Sequence, residues 1–264
     1  MQTLTDKLIA EKENGVGWIT FNNPARHNAM SYEMWQAMAA TLKDYAADPS
    51  VRVIILKGAG EKAFVAGADI SQFKERRTGP EAVAEYNATA DAANQALINC
   101  PKPTIAMIRG YCIGGGTGIA VACDIRLAAE DARFGVPAAK LGLGYRFGGI
   151  KRLSDLVGPQ FAAEIFYTAR QFSAQEALAM NLVNRLLPVA ELEKYTRDYA
   201  TTIVNNAPMT IAAVKRSLLE YAKDPEQRDL DAVQSMVDAC FASEDYIEGQ
   251  TAFMEKRKPA FKGK

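Results

Sequence analysis

The residues most able to support chemistry in this sequence are glycines and other small residues in short turns. Residues 110–118 read GYCIGGGTG, after an apolar β-rich run at 103–109 and before a small apolar run at 119–123. The pattern predicts a strand, a glycine turn and a buried helix. The unpaired N–H groups of that helix N-terminus would bind a phosphate or an oxyanion. The alternative is a close-packed turn without a ligand.

Two common phosphate-binding loops do not account for this turn. The sequence has no GxxxxGK(S/T) motif, and the glycines at 114–118 do not fit GxGxxG, because Ile119 and Val121 follow them. The turn therefore favours a carbonyl group over a pyrophosphate. A second small-residue turn at 63–70 contains Ala66, Gly67 and Ala68.

Composition excludes several other classes of function. The formal net charge is zero, which argues against a dedicated nucleic-acid surface. His27 is the single histidine, so a multi-histidine metal site is excluded and a Ser-His-Asp triad is disfavoured. The four cysteines form no CxxC pair. Without a signal-peptide pattern or a membrane-length apolar run, we expect a cytoplasmic protein with reduced thiols that uses no metal and no membrane.

Strands and helices alternate up to about residue 190, and helices alone follow. Asn14-Gly15 predicts a hairpin between runs at 4–13 and 16–21. The remaining strands are predicted at 51–57, 103–109, 124–129 and 182–187. Helices are predicted at 31–47, 80–99, 159–169, 174–180, 190–206, 208–222, 225–241 and 243–256. The glycine-rich segment 134–149 is left without a regular element.

This order predicts an α/β core, residues 1–190, with a helical region at 191–264. The helical region carries apolar stripes that need burial, which favours a homo-oligomer.

Four segments together resemble the crotonase (enoyl-CoA hydratase/isomerase) superfamily. They are NNPARHNAM at 22–30, FVAGADI at 64–70, GYCIGGG at 110–116 and SEDYIEGQTAFMEKRKPAF at 243–261. The resemblance covers essentially the whole chain. It implies a spiral of ββα turns, C-terminal helices that build a trimer or a hexamer of paired trimers, and an acyl-CoA substrate with no separate cofactor.

The resemblance also implies how the thioester is held. In the family, two backbone N–H groups grip the thioester oxygen, and these map onto Ala68 and Gly115. Small residues at both places would let the thioester approach closely. Gly115 is expected at a helix N-terminus, where negative charge on an enolate oxygen is favoured.

A second set of residues is implied to contact coenzyme A. Arg26 would face the adenosine phosphate region, with His27 beside it. The full set is Arg26, His27, Ala66, Ala68, Asp69, Ile70, Phe253 and Lys256. The alternatives are a surface-loop role for His27, a structural role for Asp69, and an ordinary amphipathic helix face for the pair near the C-terminus.

The catalytic pattern of the family hydratases is broken at two positions. Hydration of a double bond uses two carboxylates that hold a water and move protons. The family glutamates map onto Gly118 and Ala138, neither of which can transfer a proton. Glu81 and Glu85 on the long helix are candidate replacements, with a solvated helix face as the alternative.

A further departure lies at residues 142–149, which read GLGYRFGG. Tyr145 and Arg146 stand where many hydratases have proline and glycine. A tyrosine here is similar to the methylmalonyl-CoA decarboxylase branch. The pair would hold a carboxylate or donate a proton, or would merely fill space and pair elsewhere. The match is partial, because that branch has histidine and glutamate where this chain has Ala68 and Gly118.

Three hypotheses follow for the function. The favoured one is an acyl-CoA enzyme that works through an oxyanion-stabilised enolate, with decarboxylase- or hydrolase-type chemistry and with Ala68, Gly115, Tyr145 and Arg146 as catalytic residues. The second is a hydratase or isomerase that uses an unrecognised carboxylate. The third is a non-catalytic CoA-binding module or interaction scaffold.

Overall fold

Two β-sheets form the centre of the computed structural model, which describes residues 4–69 and 78–264. In chain order the strands are β1 (Leu8–Glu13), β2 (Val16–Phe21), β3 (Val53–Gly58), β4 (Ala63–Val65), β5 (Thr104–Ile108), β6 (Tyr111–Ile113), β7 (Ile125–Ala129), β8 (Arg133–Gly135), β9 (Phe172–Ser173) and β10 (Arg185–Leu187). The larger sheet has the strand order β1-β2-β3-β5-β7-β10 and the smaller has the order β4-β6-β8-β9.

Ten α-helices occur in the described part of the chain. They are α1 (Tyr32–Ala47), α2 (Pro80–Ile98), α3 (Gly115–Ala122), α4 (Phe147–Val157), α5 (Pro159–Thr168), α6 (Ala174–Ala179), α7 (Leu192–Val204), α8 (Pro208–Tyr221), α9 (Leu230–Phe241) and α10 (Glu244–Met254). Single 3-10 turns lie at Pro24–Arg26, Pro137–Leu141 and Pro225–Gln227. The predicted α/β class is confirmed.

The larger sheet begins with the predicted hairpin and continues as parallel strands. Asn14 and Gly15 both have positive φ, as a tight hairpin turn requires. From β2 to β10 each neighbouring pair is parallel. Successive residues of β3 face opposite sides, so Ile54 packs in one core while Ile55 packs in the other. Both faces are therefore covered, as is usual for parallel sheets.

The two faces are covered by different parts of the chain. Helix α1 packs on one face through Met34, Trp35, Met38 and Leu42. Helix α7 packs on the other through Leu192 and Ala200. The helical region after residue 190 thus contributes to the sheet core through α7.

Helices α8 to α10 leave large apolar side chains open to solvent. Lys215 on α8 forms an ion pair with Asp124 at 2.7 Å, which connects this region to the residue before β7. The exposed apolar residues are Val214, Leu218, Tyr221, Leu230, Phe241, Tyr246, Ile247, Phe253 and Met254. In the described ranges, no helix is both long enough and apolar enough to cross a membrane.

The structure differs from the sequence expectation around the glycine-rich segments. A short strand, β6, separates the central strand β5 from α3, where a single turn was predicted. The segment 134–149 contains a 3-10 turn and the start of α4. The sequence did not predict this helix because Gly148 and Gly149 lie in its first turn, and glycine disfavours a helix. Buried Leu153 and Val157 on the same helix supply the packing that stabilises it.

Candidate active site

The two loops predicted to hold the acyl-CoA, residues 24–30 and 66–69, lie side by side and are joined by backbone hydrogen bonds. Ala66 N–H donates to the His27 carbonyl at 3.0 Å. Met30 N–H donates to the Gly67 carbonyl at 2.8 Å, and Asp69 N–H donates to the Met30 carbonyl at 2.9 Å. These bonds fix the backbone of residues 66–69 against the 24–30 loop.

The side chain of Asn28 stabilises the conformation of the 24–30 loop, a role that the sequence did not predict. Its backbone has φ of 57°, and its side chain is fully buried. The side-chain oxygen accepts from Asn23 N–H at 2.9 Å, and the amide nitrogen donates to the carbonyls of Ala59 and Ala63 at 2.9 and 2.7 Å. Asparagine is one of the few residues that tolerate positive φ, and this tolerance was the available signal.

The glycine turn places the N-terminus of α3 directly against β4. A β-carbon at Gly116 would lie 2.0 Å from the Val65 carbonyl oxygen, so only glycine permits this approach. Gly114 has φ of 56° and donates its N–H to Gly135 at 2.8 Å. The predicted order of strand, glycine turn and buried helix is confirmed, with β6 inserted.

As a result, the predicted oxyanion donors Ala68 and Gly115 become neighbours. A β-carbon at Gly115 would lie 3.9 Å from the carbonyl carbon of Gly67, the atom bonded to the Ala68 nitrogen. Gly115 begins α3, so its N–H has no intrahelical acceptor. Within residues 4–69 and 78–264, neither N–H donates a hydrogen bond. Both remain free for an oxygen atom of a ligand.

Tyr145 lies over the next turn of the same helix. Its hydroxyl is 3.9 Å from the point where a β-carbon would stand at Gly118. Its ring packs on Phe166, with centroids 4.7 Å apart. Part of the residue remains open to solvent, at 37% exposure, but burial of the hydroxyl end raises its pKa. The hydroxyl therefore stays protonated at neutral pH and is able to donate.

A small cavity of about 40 Å³ separates Tyr145 from α3. It is lined by Thr117, Gly118, Val121, Val136, Tyr145, Gly149, Arg152 and Leu153. Among these described lining residues there is no carboxylate. Arg152 is a member that the sequence reasoning missed, because α4 itself was not predicted.

Arg146 points elsewhere. Its guanidinium pairs with Asp91 on α2, and both side chains are about half exposed. Arg146 does not line the Tyr145 cavity. Of the two residues that the sequence grouped together, the structure brings only Tyr145 to Gly118.

The positions of the two family glutamates hold no acid, and the candidate replacements lie at the surface. Ala138 is buried in the 3-10 turn. Glu85 accepts a hydrogen bond from the Tyr32 hydroxyl at 2.9 Å, and Glu81 is exposed in the first turn of α2.

The predicted CoA contacts fall into two groups. Arg26 is 54% exposed and lies 3.5 Å from Asp69, which is buried. The His27 ring contacts Tyr111, with centroids 5.8 Å apart. Phe253 lies in the last turn of α10 and Lys256 lies two residues beyond that helix, and both are exposed. Ile70 lies outside the described residues. In the described part of the chain, no cluster of His, Cys, Asp and Glu is arranged for a metal ion.

A model of the enoyl-CoA hydratase/isomerase family matches residues 11–264. The chain belongs to this family. It is 37% identical over 253 residues to a short-chain-enoyl-CoA hydratase of Clostridium acetobutylicum, covering 96% of each chain. It is 35% identical to a crotonyl-CoA hydratase of Syntrophomonas wolfei, covering 97% of this chain and 98% of that one.

Solved structures agree with this assignment. An enoyl-CoA hydratase/carnithine racemase from Magnetospirillum magneticum superposes with a TM-score of 0.92 at 33% identity, covering 98% of this chain and 97% of that one. An enoyl-CoA hydratase from Bacillus anthracis gives 0.89 at 32% identity, covering 98% and 100%. The predicted superfamily and crotonase fold are confirmed, and the protein is an acyl-CoA enzyme of the crotonase superfamily.

Proposed function

We propose that this enzyme binds an acyl-CoA thioester, stabilises its enolate, and carries out decarboxylation or thioester hydrolysis and not hydration of a double bond. The observation that carries the proposal is the Tyr145 hydroxyl above Gly118, in a cavity whose described lining has no carboxylate. A hydratase needs carboxylates to hold and deprotonate water.

The thioester oxygen would accept hydrogen bonds from the N–H groups of Ala68 and Gly115. Both donors are preorganised. The hydrogen bonds of Gly67 and Asp69 with Met30 fix the Ala68 N–H, and the start of α3 fixes the Gly115 N–H. Preorganised donors favour the enolate over the thioester, because negative charge develops on the oxygen in the transition state.

Decarboxylation fits the residues present better than hydrolysis does. The bond between the α-carbon and the carboxylate breaks, its electron pair moves into the thioester to form the enolate, and CO₂ leaves. No base has to remove a proton. The enolate carbon then takes a proton from the Tyr145 hydroxyl, which recovers it from water. A raised pKa keeps Tyr145 protonated for that step.

Coenzyme A would run along the 24–30 loop, with Arg26 at its phosphates and His27 beside it. Ala66 and Asp69, from the adjoining loop, would also contact it, and the family resemblance adds Ile70. We also propose a homotrimer or a hexamer of two trimers, supported by the exposed apolar residues of α8 to α10. In such an assembly Phe253 and Lys256 would reach the CoA of a neighbouring subunit.

Hydration is the second candidate, because relatives at 35–37% identity are named as hydratases. It would need a carboxylate from another element. Glu85, already hydrogen-bonded to Tyr32, is the candidate on α2.

The test is a panel of crotonyl-CoA, methylmalonyl-CoA, malonyl-CoA and acetoacetyl-CoA, with products followed by mass. Loss of 44 Da from a carboxylated thioester would support decarboxylation, and release of free CoA would support hydrolysis. Gain of 18 Da by crotonyl-CoA at an enzymatic rate would contradict the proposal and select the second candidate. Binding of every thioester without turnover would select the non-catalytic module.

A further inference from the structure

Arg152 is a cation at the candidate active site that the proposed reaction does not use. It projects from α4 and lines the same cavity as Tyr145 and Gly118. Over residues 4–69 and 78–264 it forms no hydrogen bond and no ion pair. By contrast, Arg146 and Arg170 each pair with a carboxylate.

The two carboxylates near Arg152 already form ion pairs with other cations. Asp155 on the same helix pairs with Lys151 at 2.7 Å, and Asp124 at the start of β7 pairs with Lys215 at 2.7 Å. Both acids attract Arg152 from a distance, whereas the neighbouring Arg126 repels it.

Arg126 is a buried arginine of the same fold whose guanidinium donors are paired with acceptors. It is buried and donates to the carbonyls of Leu182, Cys123 and Ala120 at 2.8, 2.7 and 3.3 Å. Arg152 has no such set of acceptors. Burial lowers the pKa of Arg152, yet a guanidinium stays charged in proteins. A half-buried charge without a partner favours an anionic ligand.

The size of the cavity limits what that ligand group can be. A volume of about 40 Å³ exceeds the roughly 10–15 Å³ that one water needs. It therefore accepts a group of a few atoms and excludes a long apolar chain. The space exists because residue 118 is glycine, and any larger side chain there would project toward the Tyr145 hydroxyl.

We propose that Arg152 binds a carboxylate on the acyl group, so that the enzyme selects short acyl-CoA thioesters that carry a negative charge. The inference rests on the proposed acyl-CoA function and names its substrate class. The guanidinium fork matches the two oxygens of a carboxylate, and the Tyr145 hydroxyl supplies a further donor.

Arg152 is expected to affect substrate binding more than the rate of the chemical step. If the carboxylate leaves as neutral CO₂, the ion pair weakens as the reaction proceeds. The interaction therefore stabilises the bound substrate at least as much as the transition state. Removal of Arg152 is expected to raise KM without a matching fall in kcat.

The test compares malonyl-CoA with acetoacetyl-CoA, in which a methyl ketone of similar size replaces the carboxylate. Dissociation constants are measured by rapid mixing, before turnover, with free CoA as a third probe. We expect the unchanged protein to bind malonyl-CoA about tenfold or more tightly than acetoacetyl-CoA, as a charge-assisted hydrogen bond predicts. Arg152→Met should reduce this preference to about twofold or less while CoA affinity is retained. Arg152→Lys should keep part of it.

Two further variants make the result specific. Lys140→Met removes an exposed cation that does not line the cavity and should leave the preference intact. Gly118→Glu places a protein carboxylate in the cavity and should abolish the preference with Arg152 still present. It is expected to fold, because the nearest atom to a β-carbon at 118 is 3.9 Å away. If Arg152→Met does not fold, Arg152→Lys and Gly118→Glu decide the question.

The outcomes separate this inference from the function on which it rests. If CoA and acetoacetyl-CoA bind but malonyl-CoA shows no preference, or keeps it in Arg152→Met, the inference is overturned and the proposed function stands. If none of the three CoA compounds binds, both are overturned.

Discussion

The hydroxyl of Tyr145 and the α-carbon of Gly118 face each other across a small cavity, and no side chain separates them. A β-carbon at Gly118 would stop 3.9 Å from that hydroxyl. This relationship links the two departures from the family hydratases, since the absence of a glutamate at 118 leaves room for a tyrosine at 145. The described lining of this cavity therefore contains a phenol and no carboxylate.

Tyr145→Phe tests the role of the phenol. Its hydroxyl makes no hydrogen bond to the described residues, so the free energy of unfolding should change by less than about 0.5 kcal/mol. Turnover should fall by about 10²-fold or more if the hydroxyl donates a proton. Steady-state kinetics and urea unfolding measure the two effects. Tyr167→Phe, at an exposed position, is the control. Equal activity of Tyr145→Phe and the unchanged enzyme would remove Tyr145 from the mechanism.

Gly116→Ala tests the close approach of α3 to β4. The added β-carbon would lie 2.0 Å from the Val65 carbonyl oxygen, so the helix must shift. We expect a loss of about 1–3 kcal/mol in the free energy of unfolding, together with weaker thioester binding. Gly118→Ala is a matched control in the same helix, where the nearest atom is 3.9 Å away. It should stabilise the protein by about 0.5–1 kcal/mol, since alanine favours a helix interior.

Denaturant titration of both glycine variants measures the difference. The same response at 116 and 118 would show that α3 does not depend on a glycine contact with β4.

Asn28→Ala tests the loop that faces the candidate oxyanion donors. The change leaves Asn23 N–H and the Ala63 carbonyl without their buried partner, at about 1–3 kcal/mol for each group. Asn28→Gly should recover about 1 kcal/mol of this loss, because alanine at positive φ is strained. Asn22→Ala, which removes one exposed bond, is the control. Thermal unfolding and CoA titration measure the effects, and a silent Asn28→Ala would contradict the assigned role.

Glu176 makes folding stability depend on acid pH. It accepts hydrogen bonds from Ser173 N–H at 2.7 Å and from Arg170 at 2.8 Å. These contacts, the Ser173 N–H first, lower its pKa from an ordinary value of 4.5 to about 2. A lowered folded-state pKa contributes stability that is fully present above pH 4.5. That contribution is lost as pH falls toward 2.

Urea midpoints of the unchanged protein and Glu176→Gln should therefore differ at pH 7 and converge as pH falls from 4.5 toward 2. Glu226→Gln, at an exposed acid in a 3-10 turn, should show a small difference throughout. A gap for Glu176→Gln that stays constant with pH would contradict the titration.

Local patterns predicted most of the backbone correctly. Asn14-Gly15 specifies its turn by positive φ, and Ser31 begins α1 by accepting from Met34 N–H at 3.3 Å. Both effects act within a few residues, so they are visible in the sequence. Helix α4 was missed because its first turn contains two glycines, and its stability comes from packing of Leu153 and Val157 against distant elements.

The candidate site shows the same division. By itself the sequence determined the small-residue turns, the family, the absence of acids at 118 and 138, and Tyr145 as the unusual residue. Tertiary structure alone decided that Arg146 pairs with Asp91, 55 positions away, and that Arg152 lines the Tyr145 cavity instead. Side-chain partners across such separations depend on how helices pack in space, which no local pattern encodes.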